Sequence, residues 1–398
     1  MKVLLISDST MNVNLGGFAQ TLYNIFSFVR PEDFLLITSK QSVKYNLPST
    51  PYTQRVLTCD IELIPFQRNR FGIYINKFIN WFNFSFHYQL NNFKRTRHAI
   101  KQFNADVIVV APNGESGVLL YHLLKQAFLK KKVFPYFMDD WLFQSRLKWL
   151  GGNIHTLSKK LLAENTSWLM ISEQLGHILS ERYSIQPKCI LSIHNPVNMV
   201  GIVPPKPVIR KANYCIAYAG ALWQMHFDAF IVIAKAIALL QKEFSIKLVV
   251  YTDFSNWEWR KKDLENLPVE YGGHISYTHI HSVLREADCL LVTSSFTKEW
   301  ETHSRGSVQT KITDYLKSGR LIIACGPTYA ANHNFLKTHQ CGICIETNDA
   351  HKAGGALQDI LENIEQSHSF VLNGYKVLRN EFSFNVVHEK LHQFFTLE

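Results

Sequence analysis

A chain of 398 residues with 46% hydrophobic and 19% charged side chains is long enough for two ordinary cores and too apolar for a disordered protein. The 42 Lys and Arg outnumber the 32 Asp and Glu, and the net charge of +10 favours anionic partners without naming one. No run of about 18 apolar residues argues for a membrane-spanning helix, and the apolar start at Val3–Ile6 is too short for a signal peptide. Seven scattered cysteines without a secretory signal point to reduced thiols and a cytoplasmic setting.

The first element in chain order is a strand from Val3 to Ile6, followed by a loop ending in Gly16-Gly17 and a helical pattern from Phe18 to about Val29. These glycines are not a Gly-x-Gly-x-x-Gly fingerprint, and no acid follows at the distance that would grip an NAD ribose. A tight turn and a loop that lets backbone N–H groups approach a ligand both explain them.

Between Glu62 and Asp106 there is no acid, but there are seven basic residues: Arg68, Arg70, Lys77, Lys94, Arg95, Arg97 and Lys101. Residues 71–93 carry nine aromatics, among them Tyr74, Phe78, Trp81, Phe82 and Phe86. Cations interleaved with rings suit an anionic membrane surface or a lipid ligand, placed on residues 63–105. They also suit single-stranded nucleic acid, which is the less favoured partner. Nine rings exceed one exposed face, so plain packing accounts for part of the pattern.

Strands are expected at Asp106–Val110 and Val133–Phe137, each followed by acids. The loop Asn113-Gly-Glu115-Ser sets one acid beyond the first of them, and Asp139-Asp140-Trp141 places two carboxylates at the carboxyl end of the second. A helix-capping Asp beside a structural tryptophan is the plainer reading of the second. Ile193-His-Asn-Pro-Val197 and Pro204-Pro205-Lys-Pro207 read as a linker, because proline interrupts regular structure. The expected division is 1–197, a linker at 198–212, and a second domain at 213–383. The second half opens as the first does, with a strand from Tyr214 that meets Gly220, an apolar helix from Phe227 to Leu240, and a strand from Lys247 to Tyr251. Cys341-Gly-Ile-Cys344 is the one Cys-x-x-Cys; a strand with small residues explains it more simply than zinc or redox chemistry.

From Ala287 to Pro327 the pattern is strand (Cys289–Thr293), polar loop, helix (Ser307–Gly319) and strand (from Arg320), a βαβ unit whose loop lies where open α/β sheets bind ligands. Val308, Ile312, Tyr315 and Leu316 share the buried face of this helix, while Ser307, Lys311 and Asp314 share the other. A lysine in the first turn, beside unpaired N–H groups, makes an anion site, and a carboxylate one turn on can accept from a ribose diol. A solvated amphipathic helix capped by Ser307 and closed by Gly319 fits the same residues.

This segment resembles the donor half-site of GT-B glycosyltransferases, and within them the retaining group called family 4. Members often carry a stretch like Ser…Thr-Lys…(Asp/Glu)-Tyr-Leu-x-x-Gly-(Arg/Lys)-Pro-Ile, and Ser307, Thr310, Lys311 and Asp314 fall on it. Three departures are visible: Gly306 stands where the family's second Glu is common, Arg320-Leu321 where Arg-Pro is usual, and Trp223-Gln-Met-His226 where a cation follows the second glycine. They leave Lys311 as the main diphosphate cation and His226 as its understudy.

The resemblance implies an α/β protein of two Rossmann-like domains facing across a central cleft, with a final helix, 384–398, crossing back to the first domain. It implies donor contacts at Gly16, Gly17, Gly220, His274, Ser307, Thr310, Lys311 and Asp314, acceptor contacts at Asn113 and Glu115, and catalytic roles for Asp139, Asp140 and Lys311. No Asp-x-Asp triplet occurs, so the metal-dependent GT-A design has no support; no metal and no cofactor are expected, the nucleotide-sugar being a substrate. The expected activity is hexosyl transfer from a nucleotide-sugar to a glycan or lipid-linked acceptor, with retention, in cell-surface polysaccharide or glycoconjugate assembly. The expected location is the cytoplasm, peripheral on the inner face of the membrane. The departures keep open a non-catalytic GT-B-like binding subunit and, further off, a sugar-nucleotide epimerase.

Overall fold

The computed structural model describes residues 1–45, 51–59, 61, 70–83, 86, 93–144, 153–241 and 244–397. Arg68, Phe84 and Tyr88 of the acid-free window lie outside them. The chain forms two compact units, Met1–His194 with His388–Glu398, and Asn195–Val387.

The first unit is built on β1 (Val3–Ser7), β2 (Phe34–Ser39), β3 (Val56–Cys59), β4 (Val107–Ala111), β5 (Lys132–Phe137), β6 (Ser167–Met170) and β7 (Cys189–Ser192). Their order is β3-β2-β1-β4-β5-β6-β7, every pair parallel. Strands such as Val-Leu-Leu-Ile-Ser and Val-Ile-Val-Val-Ala are buried at every position, as parallel strands covered on both faces must be. The order reverses between β1 and β4, where Val3 pairs with both Phe34 and Val107. Beyond the carboxyl ends of those two strands lies the crevice in which sheets of this kind take ligands.

The second unit repeats the plan with β8 (Asn213–Ala219), β9 (Ser245–Tyr251), β10 (Val269–Gly273), β11 (Cys289–Thr293), β12 (Leu321–Cys325) and β13 (Ile343–Ile345), in the order β10-β9-β8-β11-β12-β13. Alternation along β8 divides its side chains between two cores. Ile216 and Tyr218 pack with Phe230, Ile233 and Ile237 of the helix Gln224–Leu240. Ala217 packs with Ile312, Tyr315 and Leu316 of the helix Lys311–Ser318. The reversal point here lies between β8 and β11.

Residues 202–211, which hold the proline cluster, carry no regular secondary structure. Val197 accepts from the Phe384 N–H and donates to the Phe382 carbonyl, which ties it to the second unit. The last helix, Phe384–Leu397, passes from one unit to the other. From His388 on it belongs to the first, where Phe394 and Phe395 pack on Phe134 with ring centroids 5.3 and 5.0 Å away. Among the described residues no helix is long and apolar enough to cross a membrane, and no three His, Cys, Asp or Glu side chains are grouped to hold a metal ion. Cys344 lies in β13, and burial pushes its thiol and that of Cys341 up to about 12, which suits packing and not redox exchange.

Candidate functional site

Gly220 directly follows β8 with φ +123°, a conformation that side chains rarely adopt, and its N–H donates to the Tyr251 carbonyl at 2.9 Å. Tyr315, fully buried on the helix Lys311–Ser318, accepts from the Ala219 N–H at 2.8 Å and so pins that helix to the glycine turn. Lys311 is the first residue of the helix. Its Nζ sits 3.7 Å from the Tyr218 ring centroid, buried and without a hydrogen-bond partner among the described residues. Burial lowers its pKa to about 7. The protein therefore encloses a cation, faces it with a ring, and gives it no acid within ion-pair distance among the described residues.

Around Lys311 stand two imidazoles and an amide. His226, buried in the first turn of Gln224–Leu240, is held well below the usual imidazole range by burial, then by Lys311 and His303. Its Nδ1 lies 3.4 Å from Gln309 Nε2, and its ring centroid is 6.1 Å from that of His303. Gln309 donates from Nε2 to the Thr293 carbonyl at 2.6 Å, and its N–H goes to Asn332 Oδ1 at 2.9 Å.

Those two bonds correct the expected helix Ser307–Gly319. A separate helix, Glu301–Gly306, ends at Ser307, the segment 307–310 is held open by Thr293 and Asn332, and the second helix starts at Lys311. Ser307 is consequently buried and is no N-cap, while Thr310 takes the cap position without a side-chain cap bond. Gly319 closes the helix at φ +69°.

Asp314 also departs from expectation. It is buried in place of lining a solvated face, with His281 Nε2 3.8 Å from its Oδ1. His281 is pushed down to about 4 by burial and by Lys317 and Arg285, so the contact is one with a neutral ring. His274 is well exposed after β10 and bonds Asp253 through Nδ1 at 2.8 Å. The structure thus brings Gly220, Lys311, Ser307, Thr310 and the understudy His226 to one edge of the sheet, together with Gln309 and Tyr218, which no spacing rule singles out.

The first unit holds a second constellation at its own reversal point. Asp8 follows β1, accepts from the Asn113 N–H at 2.6 Å, and is raised to about 6, by burial first. Asp139 follows β5 and is raised to about 7, by burial and then by Asp140 and Asp8, against the Trp141 N–H, which lowers it. Its Oδ1 is buried without a hydrogen-bond partner among the described residues. Asp140 turns elsewhere: it is fully buried, and both its oxygens accept from Arg182, with Nη1 to Oδ1 at 2.7 Å. That pair engages both oxygens of Asp140 and anchors the helix Glu173–Tyr183, which leaves Asp139 and Asp8, a residue with no sequence pattern of its own, as the raised acids of this edge. Asn113 exposes its side chain, whereas Glu115 is buried at the start of Glu115–Leu124. Gly114 and Gly117 are small for a reason: a methyl on either would stand 2.9–3.0 Å from an Asp8 carboxylate oxygen. Gly16 caps the helix Gly17–Phe26 in an ordinary conformation, with nothing within 4 Å of the place a side chain would occupy.

Residues 213–363 match the family model of glycosyl transferases group 1. Among solved structures, Anabaena HepE in complex with UDP and glucose is similar, with a TM-score of 0.67 at 12% identity over 100% of each chain. Sucrose-phosphate synthase from Thermosynechococcus elongatus gives 0.68 at 13% identity, covering 100% of this chain and 99% of that one. A glycosyltransferase from Rickettsia africae gives 0.65 at 14%, covering 100% and 98%. No curated protein matches the chain in sequence. At these identities the likeness is one of fold. The chain has the GT-B fold along its whole length, and its residues 213–363 resemble the domain of glycosyl transferases group 1.

Proposed function

We propose that the protein is a glycosyltransferase that moves a hexose from a nucleotide-sugar donor to a glycan or lipid-linked acceptor, with retention and without a metal ion. The observation that carries this reading is Lys311, a buried ammonium with no anionic partner among the described residues, set in the first turn of a helix and against a glycine turn. A diphosphate supplies the missing charge. HepE was solved with UDP and with UDP-glucose, and we carry over to this chain only the class of donor.

The chemistry follows from that placement. As the bond from sugar to diphosphate breaks, negative charge grows on the leaving oxygen, and Lys311 with the helix N–H groups meets it. Gly220 lets backbone approach the phosphates. Asp314 accepts from the ribose diol, and the neutral His226 contributes a polar contact beside Lys311 where the family more often has a cation. Asp139 and Asp8 belong to the acceptor side, where carboxyls held near neutrality bind and orient sugar hydroxyls.

The protein works on the inner face of the membrane, in assembly of a surface glycan. Ile75, Phe78, Phe82 and Phe86 are exposed on and just after the helix Arg70–Phe82, and Lys94, Arg95 and Lys101 are exposed on the helix Lys94–Phe103. Rings at headgroup depth and cations on lipid phosphate suit that surface.

The test is release of nucleoside diphosphate from a panel of UDP- and GDP-sugars, with and without a membrane extract as acceptor source. Release that requires the acceptor supports transfer. Tight nucleotide binding without release would make the protein a binding subunit, and acceptor-independent release of free nucleotide would point to epimerase-type chemistry.

A further inference from the structure

Trp223 and Trp259 are 51% and 50% exposed, unusual for a residue whose large ring is most often covered. Their ring centroids are 6.3 Å apart with planes at 59°, so they stand as two walls of a shallow notch. The notch adjoins the donor site through the chain itself. Trp223 is three residues beyond Gly220 and caps the helix that carries His226.

Beneath it lies Arg260, only 8% exposed. Its guanidinium carbon is 3.8 Å from the Trp259 ring centroid and 3.9 Å from that of Phe227, so it is layered between two rings. Its Nε donates to the Leu222 carbonyl at 3.1 Å, which fixes the loop from Gly220 to Trp223, and its Nη2 is buried without a hydrogen-bond partner among the described residues. One face of Trp259 is therefore taken by the arginine, and Trp259 keeps half of its surface open.

We infer that Trp223 and Trp259 form a stacking platform for a pyranose ring of the acceptor glycan, an inference that rests on the glycosyltransferase reading above. A pyranose has an apolar face of C–H groups and a rim of hydroxyls. The first packs on indole planes, and the second needs polar groups at the edge of the platform. Mixed charge around the notch, Glu258 and Lys261 in a 3.2 Å ion pair with Lys262 beside them, suits a neutral sugar better than an anionic lipid surface. A notch of two indoles is also far smaller than a stable protein interface.

The test is calorimetry on the full chain with UDP present, titrating maltohexaose, cellohexaose and chitohexaose in turn. At least one should bind saturably. Replacing Trp223 and Trp259 together by Ala should weaken it about tenfold or more, and by Phe only a few-fold, because the stack survives on a smaller ring. UDP affinity should be equal in all three proteins. Failure of all three sugars to bind the wild type, or binding that ignores the Ala replacements, overturns the platform while leaving the donor site intact. Loss of UDP binding in the wild type itself would instead overturn the reading on which the platform rests. Sedimentation with vesicles that requires Trp223 and Trp259 would assign the notch to lipid and overturn it too.

Discussion

Gly220 and Lys311 meet so closely that a methyl group on the glycine would stand 3.3 Å from the lysine's Nζ. The turn at the end of β8 and the cation at the start of the helix Lys311–Ser318 are therefore one device: the glycine leaves room above the ammonium, and the ammonium fills the space a side chain would take.

Gly220→Ala tests that device. At φ +123° an alanine is strained, costing about 1–3 kcal/mol of stability, and its methyl crowds Nζ. UDP binding should weaken by at least as much as stability falls, by calorimetry and thermal melts. A variant that melts early but binds UDP normally would separate the turn from the site.

Lys311→Met should stabilise the free protein while abolishing discrimination between UDP and uridine. The folded pKa, about 7, lies below the ordinary lysine value of 10.5, so the unfolded chain binds more protons between those values. Stability from this group is thus fully present above 10.5 and declines as pH falls towards 7. Removing the lysine lifts the melting temperature by about 2–4 °C at pH 7, the effect of ~1 kcal/mol in a unit of this size.

UDP affinity should be highest below pH 7 and fall as pH rises above it. A bound diphosphate raises the lysine pKa, so binding takes up a proton in the window between the free and bound values. Calorimetry in two buffers of different ionisation enthalpy measures that uptake directly. A flat profile from pH 6 to 9 would remove Lys311 as the diphosphate cation.

Asp139 and Asp140 should behave as opposites. Asp139 is raised to about 7, so the folded protein holds more protons than the unfolded chain between 3.8 and 7, and stability falls as pH rises through that range. Asp139→Asn should therefore raise the melting temperature at pH 8 and lower turnover, with UDP affinity unchanged. Asp140→Ala leaves Arg182 without its partner and should cost about 3–5 kcal/mol of stability.

Vesicle sedimentation tests the exposed face of the helix Arg70–Phe82. Phe78→Ser with Phe82→Ser should remove the salt-resistant part of binding to anionic vesicles, and Lys94→Glu with Arg95→Glu the salt-sensitive part. Arg97 is unsuited to this test because its Nη2 donates to the Leu123 carbonyl at 2.7 Å. Equal binding to neutral and anionic vesicles would exclude the electrostatic contribution.

What was legible in the sequence was local. Unbroken apolar runs such as Leu321–Cys325 announce parallel strands, and Lys311 ahead of Tyr315 and Leu316 announces a helix with a cation near its start, though not the residue at which it begins. What was not legible depends on partners distant along the chain. Ser307 looks like a cap until Gln309 is pulled towards Asn332, 23 residues on. Asp140 looks free until Arg182, 42 residues on, takes both its oxygens. Asp8 follows a strand as many acids do, and only the arrival of Asn113 and Asp139 beside it marks it out.

The helix Phe384–Leu397 has a consequence for how the molecule is made. Phe134, on a central strand of the first unit, is covered by Phe394 and Phe395. During synthesis the first unit emerges early but lacks that cover until the ribosome has passed residue 395. Nascent first units must wait with an open aromatic seam, which chaperones would recognise and which a premature stop would leave exposed for good.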